Sequence, residues 1–514
     1  MPDPTPVPTP REAALAMDGV AFRRVGHALV DALATLLDDV PGRPVTPGES
    51  PTQVRDLIGR DRALPEAGAA PADLIARATV LLADHSLFNG HPRFFGYITA
   101  APAPLGMLGD LLASAVNANV GAWRLSPMAS EIEAQTVRWI GQLLRYRDDA
   151  AGLFVSGGNM ANIVGLLAAR AAAGAPWGVR GRGVSASEAR RLRIYASPET
   201  HTWLQKAADV CGVGTDAIHW VPTTDDLRLD PDALRTAIAA DRAAGESPML
   251  VVGTAGSVST GIVDPLFAIA EVCREAGVWF HVDGAYGAPA AAVDGTPHDL
   301  QALHLADSLA VDPHKWLYAP LEAGCVLVRD ADVLRQAFSY HPPYYHFDED
   351  RGVNYVDLGL QNSRGFRALK VWLMLQQAGA EGYRRMIGDD IALARRLQTA
   401  VAAHPRLEAG STHLSITTFR YVPEDLRGAA DASSEAYLNA LNEALLERLQ
   451  RSGEVFVSNA VVGGRYLLRA CVVNFHTTPD DIDAVPAIVD RAAGRVDGEM
   501  RRRPDGAAPS ERRP

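Results

Sequence analysis

The amino-acid sequence predicts an α/β fold with one large, mostly parallel sheet, a helical segment before it and a smaller α+β domain after it. Between about residues 106 and 330, short apolar runs alternate with helical patterns, and this alternation is typical of parallel strands covered by helices on both faces. The chain has 514 residues, which exceeds one ordinary hydrophobic core, so two or three packed units are expected.

The order of these patterns along the chain predicts five divisions. The start is rich in proline and is expected to be disordered. Apolar residues near helical spacing over residues 19–37 predict an amphipathic helix. The expected divisions are a disordered tail over 1–10, a helical segment over 11–105, a large domain over 106–375, a small C-terminal domain over 376–493 and a disordered tail over 494–514.

The large domain consists of predicted strands and helices in alternation. Its predicted strands are residues 192–196, 249–253, 278–282, 308–311 and 325–328, and its helices include residues 159–173 and 266–276. The region after residue 365 opens with a predicted helix over 368–377 and continues with strand-like runs over 414–419, 455–457 and 466–470.

The composition disfavours several classes of function. The formal net charge of -12 disfavours binding to nucleic acid. The four cysteines lie far apart in the sequence, with no CxxC motif and no metal-ligand spacing, so we expect no metal, no disulfide framework and reduced thiols in the cytoplasm. We expect no signal peptide and no membrane partner, because no apolar stretch is long enough to cross a bilayer.

A lysine and an aspartate follow two of the predicted strands. Lys315 lies in VDPHKW, directly after strand 308–311. Asp283 lies in HVDGAYG, at the end of strand 278–282. Either residue alone is readily explained as part of a surface loop or turn. Because ligands of open α/β sheets bind at the carboxyl ends of the strands, the two together indicate a site for pyridoxal phosphate (PLP).

The chemistry of PLP requires these two residue types. Lys315 would hold the cofactor aldehyde as a Schiff base, release it to the substrate amine and then transfer protons. Asp283 would keep the pyridine nitrogen protonated by charge pairing. A protonated ring accepts the electrons that remain on the substrate when carbon dioxide departs.

A glycine turn and a histidine supply further candidate contacts. Ser156, Gly157 and Gly158 lie between an apolar run and a helical stretch, where backbone N–H groups and the helix dipole favour a phosphate. Helix capping is the ordinary explanation of such a turn, and a dinucleotide site fits less well because GxGxxG is absent there. His201 follows strand 192–196, where its ring could stack on the pyridine ring.

In their order along the chain, these segments resemble the group II PLP-dependent decarboxylases, the family of aromatic-L-amino-acid, histidine and glutamate decarboxylases. The resemblance covers roughly residues 85–375, and the ordered set is far more specific than any single segment. The eight segments are HPRFFGY (91–97), LSPMASEIE (125–133), SGGNMAN (156–162), SPETHTWLQKA (197–207), AGSVSTGIVDPL (255–266), HVDGAYG (281–287), DPHKW (312–316) and SRGFRALKVW (363–372).

The resemblance implies the fold type I of PLP-dependent transferases, with a large domain on a seven-stranded type of sheet, a small C-terminal domain and an N-terminal helical layer. It implies a homodimer in which the helical segment 11–105 is the dimer layer and the active sites lie at the interface. It also implies decarboxylation of an L-amino acid to its amine, with an aromatic amino acid as the favoured substrate.

By motif position, the resemblance assigns a role to each expected cofactor contact. Lys315 corresponds to the Schiff-base lysine, Asp283 to the partner of the pyridine nitrogen and His201 to the ring-stacking histidine. The remaining expected contacts are Ala285 on the second ring face, Gly157, Gly158 and Asn159 in the phosphate turn, His314 beside the phosphate, Ser257 where the family usually has threonine, and Asp312 where the animal aromatic enzymes have asparagine.

The segment SYHPPYYHF, residues 339–347, resembles the mobile catalytic loop of the family. Tyr344 corresponds to the tyrosine that protonates the substrate carbon after decarboxylation, and the adjacent Tyr345 leaves the register open by one residue. In this family, replacement of that tyrosine or of the stacking histidine is associated with oxidative aldehyde formation. Because Tyr344 and His201 are retained, we expect decarboxylation. An aldehyde synthase, an aminotransferase and a PLP-binding protein without turnover are the alternatives.

The expected substrate pocket departs from that of the animal aromatic enzymes. Large ring-holding side chains are replaced at positions that match Asn89, Ile98, Asn119 and Gly121, which enlarges the pocket and makes it more polar unless nearby aromatic residues fill the space. Glutamate is disfavoured because no clear basic residue is available for a second carboxylate. The expected substrate-binding residues are Tyr97, Ile98, Asn119 and Trp123.

Overall fold

The computed structural model describes residues 13–184, 192–340, 352–429 and 431–502. The chain separates into two units, formed by residues 1–88 with 451–453 and by residues 89–450 with 454–514. The first division falls after residue 88, whereas the sequence predicts it after residue 105. Phe95 explains the difference, since its carbonyl oxygen accepts the backbone N–H of Cys471 at 2.9 Å and its own N–H donates to Phe456 at 2.7 Å.

Three helices form most of the first unit: α1 (Gly19–Asp39), α2 (Pro51–Ile58) and α3 (Pro71–His85). Helix α1 confirms the helix predicted over residues 19–37. It begins where the Asp18 carboxylate accepts the backbone N–H of Ala21 at 2.7 Å, which satisfies one of the unpaired N–H groups at the helix start. No residue of α1, α2 or α3 is buried, so their apolar side chains remain largely accessible in a single copy of the chain.

A seven-stranded sheet is the centre of the second unit and confirms the predicted large, mostly parallel sheet. Its strands are β1 (Ala151–Val155), β2 (Leu192–Ala196), β3 (Ile218–Trp220), β4 (Ser247–Thr254), β5 (Trp279–Asp283), β6 (Ser308–Val311) and β7 (Gly324–Val328). Their order is β1-β7-β6-β5-β4-β2-β3. The pairs β2–β3, β2–β4, β4–β5 and β5–β6 are parallel, whereas β7 pairs antiparallel with both β1 and β6.

Helices cover this sheet, since every residue of β6 and β7 is buried. The helices in this part of the chain are α4 (Pro104–Val116), α5 (Pro127–Leu143), α6 (Gly158–Gly174), α7 (Val179–Arg182), α8 (Trp203–Val210), α9 (Pro231–Ala243), α10 (Leu266–Ala276), α11 (Ala331–Phe338) and α12 (Ala368–Ala403). Helix α12 continues past the division predicted at residue 375 and kinks at Gly379, where φ is 62°. None of the helices within the described ranges is long and apolar enough to cross a membrane.

A second, four-stranded sheet follows α12 and confirms the predicted α+β character of the C-terminal part. Its strands are β8 (Leu407–His413), β9 (Ile416–Tyr421), β10 (Ser458–Val462) and β11 (Arg465–Cys471), in the order β10-β11-β9-β8, with helices α13 (Ala432–Ser452) and α14 (Pro479–Arg501). The strand predicted over 455–457 is not part of this sheet, because Phe456 makes an isolated parallel bridge with Phe94 instead.

Helix α14 corrects the position predicted for the C-terminal tail. The sequence predicts disorder from residue 494, but the helix continues to Arg501. Its last turns are held by side chains from elsewhere in the unit. Tyr437 donates a hydrogen bond to Asp497 at 2.6 Å, and Arg501 forms an ion pair with Asp425 at 2.8 Å. Val496 is buried.

A buried ion pair connects three separate segments of the second unit. The Glu133 carboxylate on α5 lies 2.5 Å from the guanidinium of Arg364, and both side chains are almost fully buried. The same carboxylate accepts the backbone N–H of Phe154 in β1 at 2.9 Å. Arg364 also donates to the Phe154 carbonyl oxygen at 2.6 Å and lies over the ring of Tyr355. These contacts hold β1, the strand that leads into the predicted phosphate turn.

Replacement of Glu133 by glutamine is expected to lower the free energy of unfolding by about 3–5 kcal/mol, because the buried Arg364 guanidinium loses its counter-charge. Urea unfolding followed by circular dichroism measures the change. Glu131→Gln, at an exposed position of the same helix, is the matched control and is expected to shift the unfolding midpoint little. Equal shifts for the two variants would show that the ion pair does not hold β1.

Candidate functional site

A cavity of about 320 Å³ lies at the carboxyl ends of the strands of the large sheet. It brings together nine of the ten predicted cofactor contacts: Gly157, Gly158, Asn159, His201, Asp283, Ala285, Asp312, His314 and Lys315. It is also lined by residues that sequence reasoning missed: Asn162, Glu199, Thr254, Gly256, Val258 and Tyr286.

An ion pair holds the ammonium group of Lys315 in the turn after β6. Lys315 Nζ lies 3.0 Å from Oδ2 of Asp312, and the backbone N–H of Lys315 donates to the Asp312 carbonyl oxygen at 2.9 Å. The side chain of Lys315 is 22% exposed, whereas that of Asp312 is 3% exposed. The amine is therefore accessible from the cavity, and its counter-ion is shielded from solvent.

The Asp283 carboxylate, at the end of β5, is held by two hydrogen bonds. Its Oδ1 accepts the backbone N–H of Ala285 at 3.2 Å, and its Oδ2 accepts the indole N–H of Trp203 at 2.8 Å. Trp203 is buried and packs edge-on against His281. Sequence reasoning did not identify Trp203 as a functional residue, although it lies two positions after His201. Its indole fixes the orientation of the acid that faces the cavity.

His201 and His314 each have one ring nitrogen that is occupied by a backbone donor. Nδ1 of His201 accepts the N–H of Trp203 at 3.2 Å, and Nδ1 of His314 accepts the N–H of Ala323 at 3.1 Å. Burial lowers the pKa of both rings, and the nearby Lys315 ammonium lowers both further, against the opposing effect of Asp312. Each ring is therefore neutral near pH 7, with its proton on Nε2.

The glycine turn between β1 and α6 allows a close approach of backbone and side chains. A Cβ atom at Gly158 would lie 2.6 Å from Asp312 Oδ2 and 3.0 Å from the Cβ of Ala285. A Cβ atom at Gly324 in β7 would lie 2.5 Å from the backbone of Gly157. The first N–H groups of α6 have no acceptor within the helix. These N–H groups and the helix dipole favour an anion at the turn.

A buried hydrogen-bond chain supports the floor of the cavity. Nε2 of His281 lies 2.7 Å from Oδ1 of Asn162, which lines the cavity, and Nδ1 lies 2.7 Å from the hydroxyl of Ser308. The Ser308 hydroxyl accepts the indole N–H of Trp279 at 2.9 Å. Burial lowers the pKa of His281 to about 4, so the ring stays neutral near pH 7 and serves as a fixed donor and acceptor.

Several predicted site residues do not line this cavity. The Ser257 hydroxyl lies 3.0 Å from the hydroxyl of Thr260 in its own loop, so a cofactor contact for Ser257 stays a prediction. The Asn119 side chain accepts the backbone N–H of Arg364 at 3.1 Å. The four predicted substrate contacts Tyr97, Ile98, Asn119 and Trp123 are all absent from the lining. Tyr344 and Tyr345 lie outside the described residues.

A buried acid supports the segment that follows Lys315. Asp390 on α12 accepts the indole N–H of Trp316 at 2.9 Å and the hydroxyl of Tyr318 at 2.8 Å. Trp316 stacks on Tyr286, a residue of the cavity wall, with 5.0 Å between the ring centroids. Burial raises the pKa of Asp390 to about 7, and the two hydrogen bonds offset part of the rise.

Comparisons with known proteins agree with this geometry. The chain matches the family model described as the pyridoxal-dependent decarboxylase conserved domain over residues 51–422. It is 31% identical over 472 residues to the aromatic-L-amino-acid decarboxylase of Bacillus atrophaeus, covering 91% of this chain and 94% of that protein. It is 30% identical to the phenylacetaldehyde synthase of Petunia hybrida, covering 89% of this chain and 91% of that protein. The crystal structure of Oryza sativa TDC with PLP and tryptamine superposes with a TM-score of 0.85 at 29% identity, covering 94% of this chain and 99% of that chain.

The raised pKa of Asp390 predicts a pH-dependent stability. The pKa of this carboxyl group rises from 3.8 in the unfolded chain to about 7 in the folded protein. The group therefore contributes its full stability below pH 3.8, and this contribution is lost as the pH rises to about 7. Between about pH 4 and pH 7, the wild-type protein is therefore expected to lose stability relative to Asp390→Asn, by up to about 1.4 kcal/mol per pH unit.

Urea unfolding at several pH values in this range measures that difference. Asp389→Asn, at the exposed neighbouring position of α12, is the matched control and is expected to follow the wild-type pH dependence. If Asp390→Asn and Asp389→Asn show the same dependence, the Asp390 carboxyl does not titrate in this range.

Proposed function

The chain belongs to the pyridoxal-dependent decarboxylase family, as its eight ordered segments predict, and we propose that it converts an aromatic L-amino acid to the corresponding amine. It is a PLP-dependent amino-acid decarboxylase of fold type I. The observation that carries the proposal is the one cavity in which Lys315, Asp283 and His201 meet. Similar proteins that are named for aromatic amino acids support the substrate class.

The residues of the cavity fit PLP. They provide an amine on Lys315, a carboxylate on Asp283 and the glycine turn at the start of α6, which suit an aldehyde, a pyridine nitrogen and a phosphate. When bound, PLP withdraws electrons from the substrate carbon that carries the carboxylate, and so promotes the loss of carbon dioxide. Lys315 would hold the aldehyde end, Asp283 the ring nitrogen, and Gly157 and Gly158 the phosphate.

The protein contributes fixed charges and fixed donors to this reaction. The indole of Trp203 and the backbone N–H of Ala285 hold the Asp283 carboxylate in one orientation. A carboxylate held in this way stabilises positive charge on a ring nitrogen without reorganising during the reaction. Nε2 of His201 carries the proton of the imidazole ring, so it is the atom that can donate a hydrogen bond at this wall of the cavity.

The charges of the cavity disfavour a substrate with an acidic side chain. The lining contains three carboxylates, on Glu199, Asp283 and Asp312, and one ammonium group, on Lys315. None of the lining residues within the described ranges is an arginine. A second carboxylate on the substrate would therefore meet net negative charge without a bidentate partner. An uncharged aromatic side chain avoids this repulsion.

A second candidate reaction is the oxidative formation of an aldehyde, because phenylacetaldehyde synthases are among the similar proteins. His201 lies in the cavity and Tyr344 is present in the sequence. These are the two residues whose retention favours simple decarboxylation by resemblance. We therefore place decarboxylation first, with oxygen consumption as the measurement that separates the two reactions.

Purified protein with PLP is expected to release carbon dioxide from at least one of L-phenylalanine, L-tyrosine, L-tryptophan and their hydroxylated forms, and to release little from L-glutamate. Lys315→Ala is expected to abolish turnover and the absorbance band of lysine-bound cofactor, because no other amine lines the cavity in the part of the chain that the structure describes. The assay follows carbon dioxide and the amine product together.

Lys206→Ala, which removes an exposed lysine on α8, is the control and is expected to keep wild-type turnover. Full turnover by Lys315→Ala would contradict the assignment of this lysine. Release of carbon dioxide from L-glutamate alone would contradict the aromatic substrate. Stoichiometric consumption of oxygen with formation of hydrogen peroxide and an aldehyde would favour the second reaction.

We also propose that two copies of the chain form a homodimer with the active sites at its interface. Helix α4 presents four apolar side chains that are each more than half exposed, Leu108, Leu111, Leu112 and Val116. A continuous apolar surface of this kind is typical of a protein–protein interface. The predicted substrate residues do not line the cavity of a single chain, which supports a site that a second copy completes.

The unpaired cysteines of the described chain support a cytoplasmic location.

The double substitution of Leu108 and Leu112 by lysine is expected to shift the protein from twice the chain mass of 54.9 kDa towards the mass of one chain. The two positions lie one turn apart on α4, so both charges enter the same surface. Size-exclusion chromatography with light scattering measures the mass. Val461→Lys is the control, because Val461 is 59% exposed on β10. A wild-type protein with the mass of one chain would contradict the homodimer.

A further inference from the structure

Asp312 has one carboxylate oxygen that the ion pair with Lys315 leaves without a partner. Oδ2 lies 3.0 Å from Lys315 Nζ and 3.6 Å from Nε2 of His314. Oδ1 is buried and has no hydrogen-bond partner among the described residues, and the residue as a whole is 2% exposed. A buried polar atom without a partner is costly, so Oδ1 indicates the position of a ligand atom.

The same carboxylate faces the glycine turn at the start of α6. A Cβ atom at Gly158 would lie 2.6 Å from Oδ2, and one at Gly157 would lie 3.9 Å from Oδ1. This turn is the place where free N–H groups and the helix dipole favour a phosphate. Asp312 therefore lies beside the site that the phosphate of the cofactor would occupy.

Little positive charge lies near Asp312 to reduce the repulsion between its carboxylate and a bound phosphate. The titratable groups that face it are Lys315 and His314 from its own turn, His201 from the segment after β2, and Cys325 from β7. Burial lowers the pKa of both histidines and raises the pKa of the Cys325 thiol, so these three are neutral near pH 7. Among the described residues that line the cavity, Lys315 is the single cation.

A bound phosphate near pH 7 carries a charge between about −1.5 and −2. The start of α6 contributes only about half a positive charge, and Asp312 already neutralises the ammonium of Lys315. Two like charges in one buried site do not both stay ionised. We propose that Asp312 takes up a proton from solvent when the cofactor phosphate binds at the glycine turn, and donates a hydrogen bond from Oδ1 to that phosphate.

Binding of PLP is then accompanied by the uptake of one proton, so the affinity for PLP falls as the pH rises. Asparagine at this position carries no charge and offers an N–H donor in the same place. The proposal rests on the cofactor and not on the identity of the amino-acid substrate. A binding measurement therefore tests it without any turnover, so its failure is distinct from a failure of the decarboxylase assay.

Dissociation constants of PLP are to be measured from about pH 6 to pH 9 by quenching of tryptophan fluorescence, for the wild-type protein, Asp312→Asn and Asp294→Asn. Over the range in which Asp312 is ionised in the free protein and protonated in the complex, the wild-type constant is expected to rise relative to that of Asp312→Asn by about tenfold per pH unit. Asp294, whose side chain is 91% exposed, controls for the change in net charge, and its variant is expected to follow the wild type. Parallel curves for wild type and Asp312→Asn would overturn the proposal.

Pyridoxal, which has the aldehyde but no phosphate, separates the phosphate from the ion pair with Lys315. With pyridoxal, the wild type and Asp312→Asn are expected to show the same pH dependence. A difference of equal size with pyridoxal and with PLP would mean that Asp312 acts through Lys315 alone, and would overturn the proposal.

Two measurements on the wild-type protein do not depend on the folding of a variant. Calorimetric titration near pH 8 in two buffers of different ionisation enthalpy is expected to show uptake of about one more proton with PLP than with pyridoxal. Phosphorus NMR of the bound cofactor at the same pH is expected to show a phosphate dianion. A monoanion would place the proton on the cofactor instead of on Asp312, and would overturn the proposal, as would equal proton uptake with both ligands.

Discussion

The cavity depends on the two antiparallel pairings of β7. Because β7 runs against both β1 and β6, β1 and β6 point in the same direction, and their carboxyl ends lie at the same edge of the sheet. Val155 pairs with Gly324, and Val311 pairs with the next residue along β7. The glycine turn after β1 and the lysine turn after β6 are therefore separated by the width of a single strand. Gly324 permits this arrangement, since any side chain there would meet Gly157.

Around this edge, hydrogen bonds from buried aromatic side chains orient two of the acids. Trp203 holds Asp283, and Trp316 and Tyr318 hold Asp390. Neutral N–H and O–H donors orient a carboxylate without bringing a second charge beside it, which a close cation would do. Lys315 is the exception, since it is paired directly with Asp312. The protein thus orients Asp283 and Asp390 through neutral donors, and Lys315 is the one amine of the described cavity lining.

The sequence was sufficient to predict the large sheet and the centre of the site. The strands buried on both faces are continuous apolar runs, which is why β2 and β4 to β7 could be identified, and residues at their carboxyl ends converge by topology. Trp203 could not be predicted, because its contact with Asp283 depends on how α8 packs over β5. Glu199 enters the cavity lining only through the path of the chain after β2. The end of α14 could not be predicted either, since Asp497 and Arg501 are held by partners far away in the sequence.

The exposed faces of α1, α2 and α3 have a consequence for how the chain acquires its structure during synthesis. Residues 1–88 leave the ribosome first, yet none of the residues in these helices is buried. Short helices without a packed face are only marginally stable in water. In the homodimer proposed above, their maturation would wait for a second chain and follow second-order kinetics. In a dilute cell extract, proteases would then cleave newly made chains first in their N-terminal segment. Several ribosomes on one messenger RNA would bring nascent chains close together and so shorten that exposure.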